Sequence, residues 1–325
     1  MFAPSFFCLN SFNQIPKHMP TFQIAKSVTI QASPEKVYSI ISDYHHWPVW
    51  SPWLITEPGV KIEVKPDGKE YNWQGKRTGS GEMKVLKENG PYRLDMVVHF
   101  LKPWKSTSPV WFELKQQGQA TEVTWGMTGS LPFFMFFMTK MMTAYIGMDY
   151  KRGLTMLKDY VETGAVPSKL DFKGVNQFPG NKYIGIKTAC TTETLDTKMG
   201  EDFGKLSAWA AQHGDQMAGP GFSIYHTWDV VKDKVVYTAA FPIKEMPSQL
   251  PEGFISGAIP AINVNTIAHI GSYKHLGNAW TTQYMMQRGK EFKFRKGIDP
   301  FEVYLNMPGQ VPTEQLVTEI HFPVA

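Results

Sequence analysis

From Thr21 onward the chain alternates apolar and polar positions in short runs separated by turn residues. FQIAKSVTIQ opens the series as a strand. Ser33-Pro34-Glu35 follows, a serine at an N-cap position with proline at the first helical position, and it predicts a short helix over PEKVYSIIS. After DYHHWPVWSPW (43–53) come five strand-like runs: EYNWQG, GEMKVLKENG, PYRLDMVVHF, SPVWFELKQQG and ATEVTWGMTGS. Asn89-Gly90 and Gln117-Gly118-Gln119 read as hairpin turns. The period then changes. Between Phe133 and about Thr163 apolar residues recur at helical spacing, among them Met135, Met138, Met142, Leu154, Leu157 and Val161. That pattern predicts a long helix covered by an antiparallel sheet.

Residues 166–176 lose periodicity and read as a linker. Beyond them a strand–helix–strand–strand unit occurs twice. The first copy runs YIGIKTACT, a helix from about Lys198 to His213, GFSIYHTWDV and KVVYTAAFPI. The second runs NTIAHIGSY, a helix from about Leu276 to Gln287, PFEVYLNMP and LVTEIHFPV. Phe222 aligns with Phe301 at an offset of 79, and Phe241 with Phe322 at 81. Offsets this close, in one element order, indicate a duplication. Gly214 and Gly289 follow the two helices as C-cap glycines. The fold class is therefore α+β: an N-terminal domain at 19–165 with a sheet around a long final helix, then a duplicated βαββ domain at 177–325 with a pseudo-twofold axis.

One carboxylate stands out in the duplication. In FEVYL the alternation puts Phe301, Val303 and Leu305 on one face, with Glu302, Tyr304 and Asn306 on the other. The first copy has Ser223 where the second has Glu302. The apolar set is expected to pack on the helices. Glu302, Tyr304, Ser223 and Tyr225 are expected to converge on a groove between the copies. Tyr273 and Trp280 are further groove candidates, and Trp228 lies at a strand exit suited to a lid. A carboxylate among aromatic rings is costly unless offset. Its pKa rises, a cationic ligand supplies the missing charge, or the groove hydrates it.

Composition narrows the setting. The 325 residues imply two domains; 42% are hydrophobic and 14% aromatic, with 17 Met, a stock that suits cores and adaptable apolar cavities. A net charge of +4 with no basic run does not imply a nucleic-acid surface, and no direct DNA binding is expected. Cys8 and Cys190 are too few for a disulfide framework, and the expected location is cytoplasmic. LPFFMFFM is too short to span a bilayer. Residues 1–18 read as a leader outside the fold, leaving Met1 and Met19 as alternative starts. His45-His46 lacks partners at ligand spacing, so neither a metal nor a cofactor is expected. The fingerprints of nucleotide sites, serine hydrolases and zinc peptidases are missing.

Several phrases carry a resemblance. ASPEKVYSIISDYHHWPVWSPW, YNWQG…GSGEM, EVTWGMTG and DYKRGLTMLKDYVE, in that order, resemble the START-like helix-grip (SRPBCC) superfamily, in particular its polyketide cyclase/dehydrase-type members. The resemblance implies an apolar cavity between sheet and helix, for which Trp50, Trp53, Trp73, Met135, Met138 and Met142 are candidate walls. IYHTWD, AHIGSY, Trp280, FEVYLNMP and LVTEIHFPV resemble the GyrI-like small-molecule-binding domain, the effector-binding domain of AraC- and MerR-type regulators. That resemblance implies a central groove in which Glu302 meets a polar or cationic part of an aromatic ligand. The leading expectation is a binding protein for hydrophobic, aromatic and cationic small molecules, including xenobiotics. The alternative, implied by stand-alone relatives, is a hydrolase of cyclopropanoid-type compounds with Glu302 as acid or base beside Tyr304.

Overall fold

The computed structural model describes residues 21–103, 105–131 and 133–325. The leader at 1–18 and the alternative start at Met19 lie outside the described residues.

The first domain is one seven-stranded antiparallel sheet against a long helix. β1 (Thr21–Ile30) leads to α1 (Pro34–Ile41) and the single turn α2 (Trp47–Trp50). The Ser33 hydroxyl accepts from the Lys36 N–H and Pro34 fills the first turn, as the sequence indicates. β2 (Lys61–Val64), β3 (Glu70–Gln74), β4 (Ser80–Asn89), β5 (Arg93–Lys102), β6 (Ser106–Gln117) and β7 (Ala120–Ser130) then meander. β1 closes the sheet beside β7, so the order is β1-β7-β6-β5-β4-β3-β2.

The long helix starts later than its periodicity suggests. Phe133–Met138 is a 3₁₀ segment, and α3 spans Thr139–Thr163, ending at Gly164 in the left-handed conformation (φ 81°). α3 grips the sheet closely at Gly153, where a Cβ would meet Trp125 at 2.8 Å and Pro52 at 3.0 Å. The domain core is aromatic. Tyr150 of α3 stacks on Trp125 at 4.0 Å between ring centroids, and Trp47 and Trp50 meet Trp125 edge-on.

The second domain is an eight-stranded antiparallel sheet with two helices. Its elements are β8 (Ser168–Phe178), β9 (Asn181–Cys190), α4 (Leu195–Gln212), β10 (Phe222–Asp229), β11 (Lys234–Ile243), β12 (Ile255–Ile259), β13 (Ile262–Gly271), α5 (Gly277–Arg288), β14 (Phe301–Tyr304) and β15 (Val317–Pro323). The stretch expected to be a linker is largely strand: β8 occupies it and pairs with β13. Its side chains alternate weakly because it is an edge, so periodicity could not reveal it. Each repeat thus gains a leading strand, β8 or β12.

The strand order is β12-β9-β11-β10-β14-β15-β13-β8, which reads as two mirrored halves. β8 precedes β9 in the chain yet pairs with β13 of the other half, and β12 precedes β13 yet pairs with β9. Each half lends its first strand to its twin. At the centre β10 and β14 run antiparallel with Phe222 opposite Val303, Ser223 opposite Glu302 and Ile224 opposite Phe301. The repeat equates Ser223 with Glu302, so the pair sits on the pseudo-twofold axis itself. Gly289 caps α5 with an ordinary φ of −73°, so no left-handed conformation is used there.

Candidate functional site

The two faces of the central strands are assigned the other way round from expectation. Phe222, Ile224 and Phe301 join a cluster with Phe178, Tyr183 and Ile298. The polar set lies under the helices: Tyr225 belongs to the cluster holding Leu206, Met199 and Phe203 of α4, and Trp280 of α5 reaches Glu302. Alternation fixes which residues share a face and is silent on which face the helices cover.

Glu302 is 2% exposed on that covered face. Its Oε2 accepts the hydroxyls of Tyr304 at 2.8 Å and Tyr225 at 3.2 Å, and its Oε1 accepts the Trp280 indole N–H. The Tyr304 hydroxyl also lies 3.0 Å from Ser223 Oγ. Burial pushes the Glu302 carboxyl above its ordinary range, opposed by the bonds from Trp280, Tyr304 and Tyr225. Its hydrogen-bond partners are these three neutral donors, and among the described residues no Lys, Arg or His pairs with it. Burial, reinforced by the Glu302 charge, lifts Tyr225 and Tyr304 well above the usual phenol range and Tyr273 to about 12. All three phenols therefore stay protonated at neutral pH and serve as donors.

The remaining sequence candidates surround this acid at different distances. Tyr273 lies against Tyr304 with ring centroids 5.8 Å apart, and its hydroxyl donates to the Asn306 carbonyl at 3.3 Å. Trp280 meets Tyr225 edge-on at 5.0 Å. Trp228 is 41% exposed and tilts over Tyr225 at 5.8 Å, on the solvent side. Met199 was not singled out by sequence. Its sulfur lies 3.5 Å from the Tyr304 hydroxyl and 3.9 Å from Ser223 Oγ. The repeat offset of 81 carried by β9 and β13 equates Met199 with Trp280. The twins therefore differ at two touching places, serine against glutamate and methionine against tryptophan. The first difference follows from the strand offset of 79 and the second from the offset of 81.

In the first domain the candidate walls divide. Trp50 and Trp73 belong to the buried core, and Trp53 packs against it. Met135, Met138 and Met142 are half-buried and stand outside that core cluster; Met135 and Met138 lie in the 3₁₀ segment and Met142 in the first turn of α3. Among the buried groups, Trp50 Nε1, Trp125 Nε1 and the Tyr44 hydroxyl have no hydrogen-bond partner within the described residues.

An open cleft of about 390 Å³ lies at the domain junction, away from Glu302, between Glu57, Lys76 and Arg77 on one side and Phe172, Thr266 and Glu291 on the other. Arg77 there makes a two-pronged bond to Glu291 at 2.7 and 3.0 Å and lies over the Phe172 ring at 5.2 Å. Glu57 accepts the backbone N–H groups of Lys76, Arg77 and Thr78. These groups satisfy one another and tie the domains together. Among the described residues no helix is long and apolar enough to cross a membrane.

Comparison with known proteins gives two family matches in series. Residues 21–162 match the polyketide cyclase / dehydrase and lipid transport family, and residues 175–325 match the GyrI-like small molecule binding domain. The comparison with curated proteins yields no match. Similar solved structures include MLL2253 from Mesorhizobium loti, at 18% identity and a TM-score of 0.34 over 42% of this chain and 95% of that one. The C-terminal domain of EcmrR has 19% identity and a TM-score of 0.36 over 49% and 98%. SAV2435 bound to tetraphenylphosphonium has 12% identity and a TM-score of 0.37 over 48% and 94%.

Proposed function

Because this chain joins a helix-grip domain of the polyketide cyclase and lipid-transport type to a GyrI-like small-molecule-binding domain, we propose that it is a two-site binder of hydrophobic small molecules. The second site takes an aromatic cation against Glu302. One observation carries this reading: a fully buried carboxylate on the symmetry axis, held by three neutral donors and lacking a cation. An isolated buried charge is costly, and a ligand cation removes the cost while its rings stack on Trp280, Tyr225 and Tyr304. Because the site is closed, ligand entry requires movement of the ring cover, with Trp228 and Trp280 as the outer members. The first site takes a neutral hydrophobic ligand bearing an acceptor, supported by the orphaned donors on Trp50, Trp125 and Tyr44.

The test is Glu302→Gln, which keeps the size of the side chain and removes its charge. Titration calorimetry with tetraphenylphosphonium should show an affinity loss of about 30-fold or more, corresponding to about 2 kcal/mol. The neutral triphenylphosphine oxide should bind both proteins within about threefold, a change under 1 kcal/mol. Equal losses for both compounds, or unchanged tetraphenylphosphonium binding, would overturn the reading.

The raised proton affinity of Glu302 favours a second reading, in which it is a general acid or base in hydrolysis of a strained electrophile beside Tyr304. The same variant separates the two: a hydrolase loses turnover while a neutral substrate still binds.

A further inference from the structure

A second contact between the domains, beside Arg77–Glu291, is organised around α3, the helix that walls the first interior. Its residues Asp149, Arg152, Met156 and Asp159 recur at helical spacing and form one stripe. On the inner side, the Trp53 indole N–H donates to Asp149 Oδ2 at 3.1 Å, and Trp53 packs edge-on against Trp125 and Tyr150. Arg152 donates from Nη2 to Asp149 Oδ1 at 2.8 Å and from Nη1 to Asn278 Oδ1 at 2.7 Å. Asn278 belongs to α5, and its amide returns to the Met156 sulfur at 3.4 Å. Further along the stripe, Asp159 accepts His275 Nε2 and Lys274 Nζ, each at 2.7 Å. Asp159 and His275 are 5% and 3% exposed.

The partners of this stripe alternate in sequence with residues of the axial site. Tyr273, which packs on Tyr304, immediately precedes Lys274 and His275. Asn278 lies two positions before Trp280, which donates to Glu302. One short segment, the 3₁₀ turn Tyr273–His275 with the first turn of α5, therefore touches α3 with one set of side chains and Glu302's aromatic cover with the other. Buried charged groups resist separation because each would be left unpaired in low dielectric. A shift of α3 should carry this segment along rather than break the contact.

We propose that the two interiors are energetically coupled through the α3–α5 contact, so that a change in the wall of the first domain's interior alters access to Glu302 in the second. The device makes the chain a two-input binder in which each ligand sets the affinity for the other, since such coupling is reciprocal. It rests on the proposed binding role of the two interiors.

The experiment uses the full chain as Trp53→Phe, Asn278→Ala and the double variant, with thermal melts to establish that each is folded. Trp53→Phe deletes the bond to Asp149 while leaving Glu302 and all its partners in place. In the ligand-free protein, hydrogen–deuterium exchange of peptides covering 273–288 should change in Trp53→Phe. The tetraphenylphosphonium Kd should shift about fivefold or more, the lower range for linked sites. With Asn278→Ala in the background, adding Trp53→Phe should change neither readout further. Unchanged exchange over 273–288, or a Trp53→Phe effect of the same size in both backgrounds, would overturn the coupling. If tetraphenylphosphonium fails to bind the parent protein, the binding role of Glu302 falls and the exchange measurement alone decides the coupling.

Discussion

Among the described residues, the first domain buries donors around Trp125 that lack an acceptor, whereas the second buries an acceptor at Glu302 that has three donors and no cation. Both interiors are walled by tryptophan and tyrosine, and both would pass as ordinary core by composition. Their polar atoms set them apart. Indole and phenol groups left over in an aromatic core ask for a carbonyl or similar acceptor, at modest cost while unmet. A carboxylate in the same surroundings asks for a positive charge, at a larger cost. Under the proposed binding role, the aromatic lining would accept flat hydrophobic ligands, and one or two polar atoms would set the sign of the preference.

The largest effect is expected from removing packing in the first interior. Trp125→Ala should cost about 3–5 kcal/mol in urea denaturation, because the ring is fully buried and stacked on Tyr150. A cost below about 1 kcal/mol would show that the interior is already loosely packed.

Acidification should produce the next effect. His269 is completely buried, and burial, aided by the nearby His275, holds its imidazole at about 4 against the ordinary 6.5. The unfolded chain therefore binds a proton that the folded one refuses. The stability from this group is complete above pH 6.5 and drains away toward pH 4, by about 3 kcal/mol. Urea midpoints across that range should flatten in His269→Gln, and an unaltered slope would assign the dependence to other groups.

Glu302 titrates with the opposite sign. Its folded pKa is raised above the ordinary 4.5, so the stability it removes is missing at neutral pH and returns as the pH falls through its folded value. Glu302→Gln should be about 1–2 kcal/mol more stable than the parent at pH 7. That advantage should fade near pH 4, as thermal melts at the two pH values would show. A destabilised variant at pH 7 would mean that the carboxylate is satisfied as it stands. Tyr304→Phe, which removes one donor from the acid and one partner from Ser223, should have the smallest effect, a loss of about 1 kcal/mol.

The alternation of β1 and β3 to β7, the Ser33-Pro34 cap and the repeat offsets made most of the architecture legible in the sequence. What escaped has physical reasons. β8 and β12 are sheet edges: β8 alternates only over Leu170–Lys173 before Gly174 interrupts it, and the five residues ISGAI of β12 are too short to mark a strand. The 3₁₀ segment Phe133–Met138 is as apolar as a helix, and composition does not distinguish the two. At the site, Glu302 and its neighbours Tyr304, Tyr225 and Ser223 came from one comparison of twin strands. Their placement beneath the helices did not, because a strand's pleat has no memory of which side is covered. Met199 was hidden by its chemistry: a methionine on a helix reads as filler until the offset sets it opposite Trp280.

The seating of Ser223 against Glu302 on the axis limits how such a site can be assembled. In a dimer of identical half-domains, any residue at that spot faces its own copy, so the pair holds either no acid or two. Two glutamates there would lie directly across from one another, and in such surroundings one would have to keep its proton. A lone negative charge on a twofold axis is open only to a chain that carries both halves in tandem and lets them differ. Fusion is thus what allows the two sides of this axis to differ in charge.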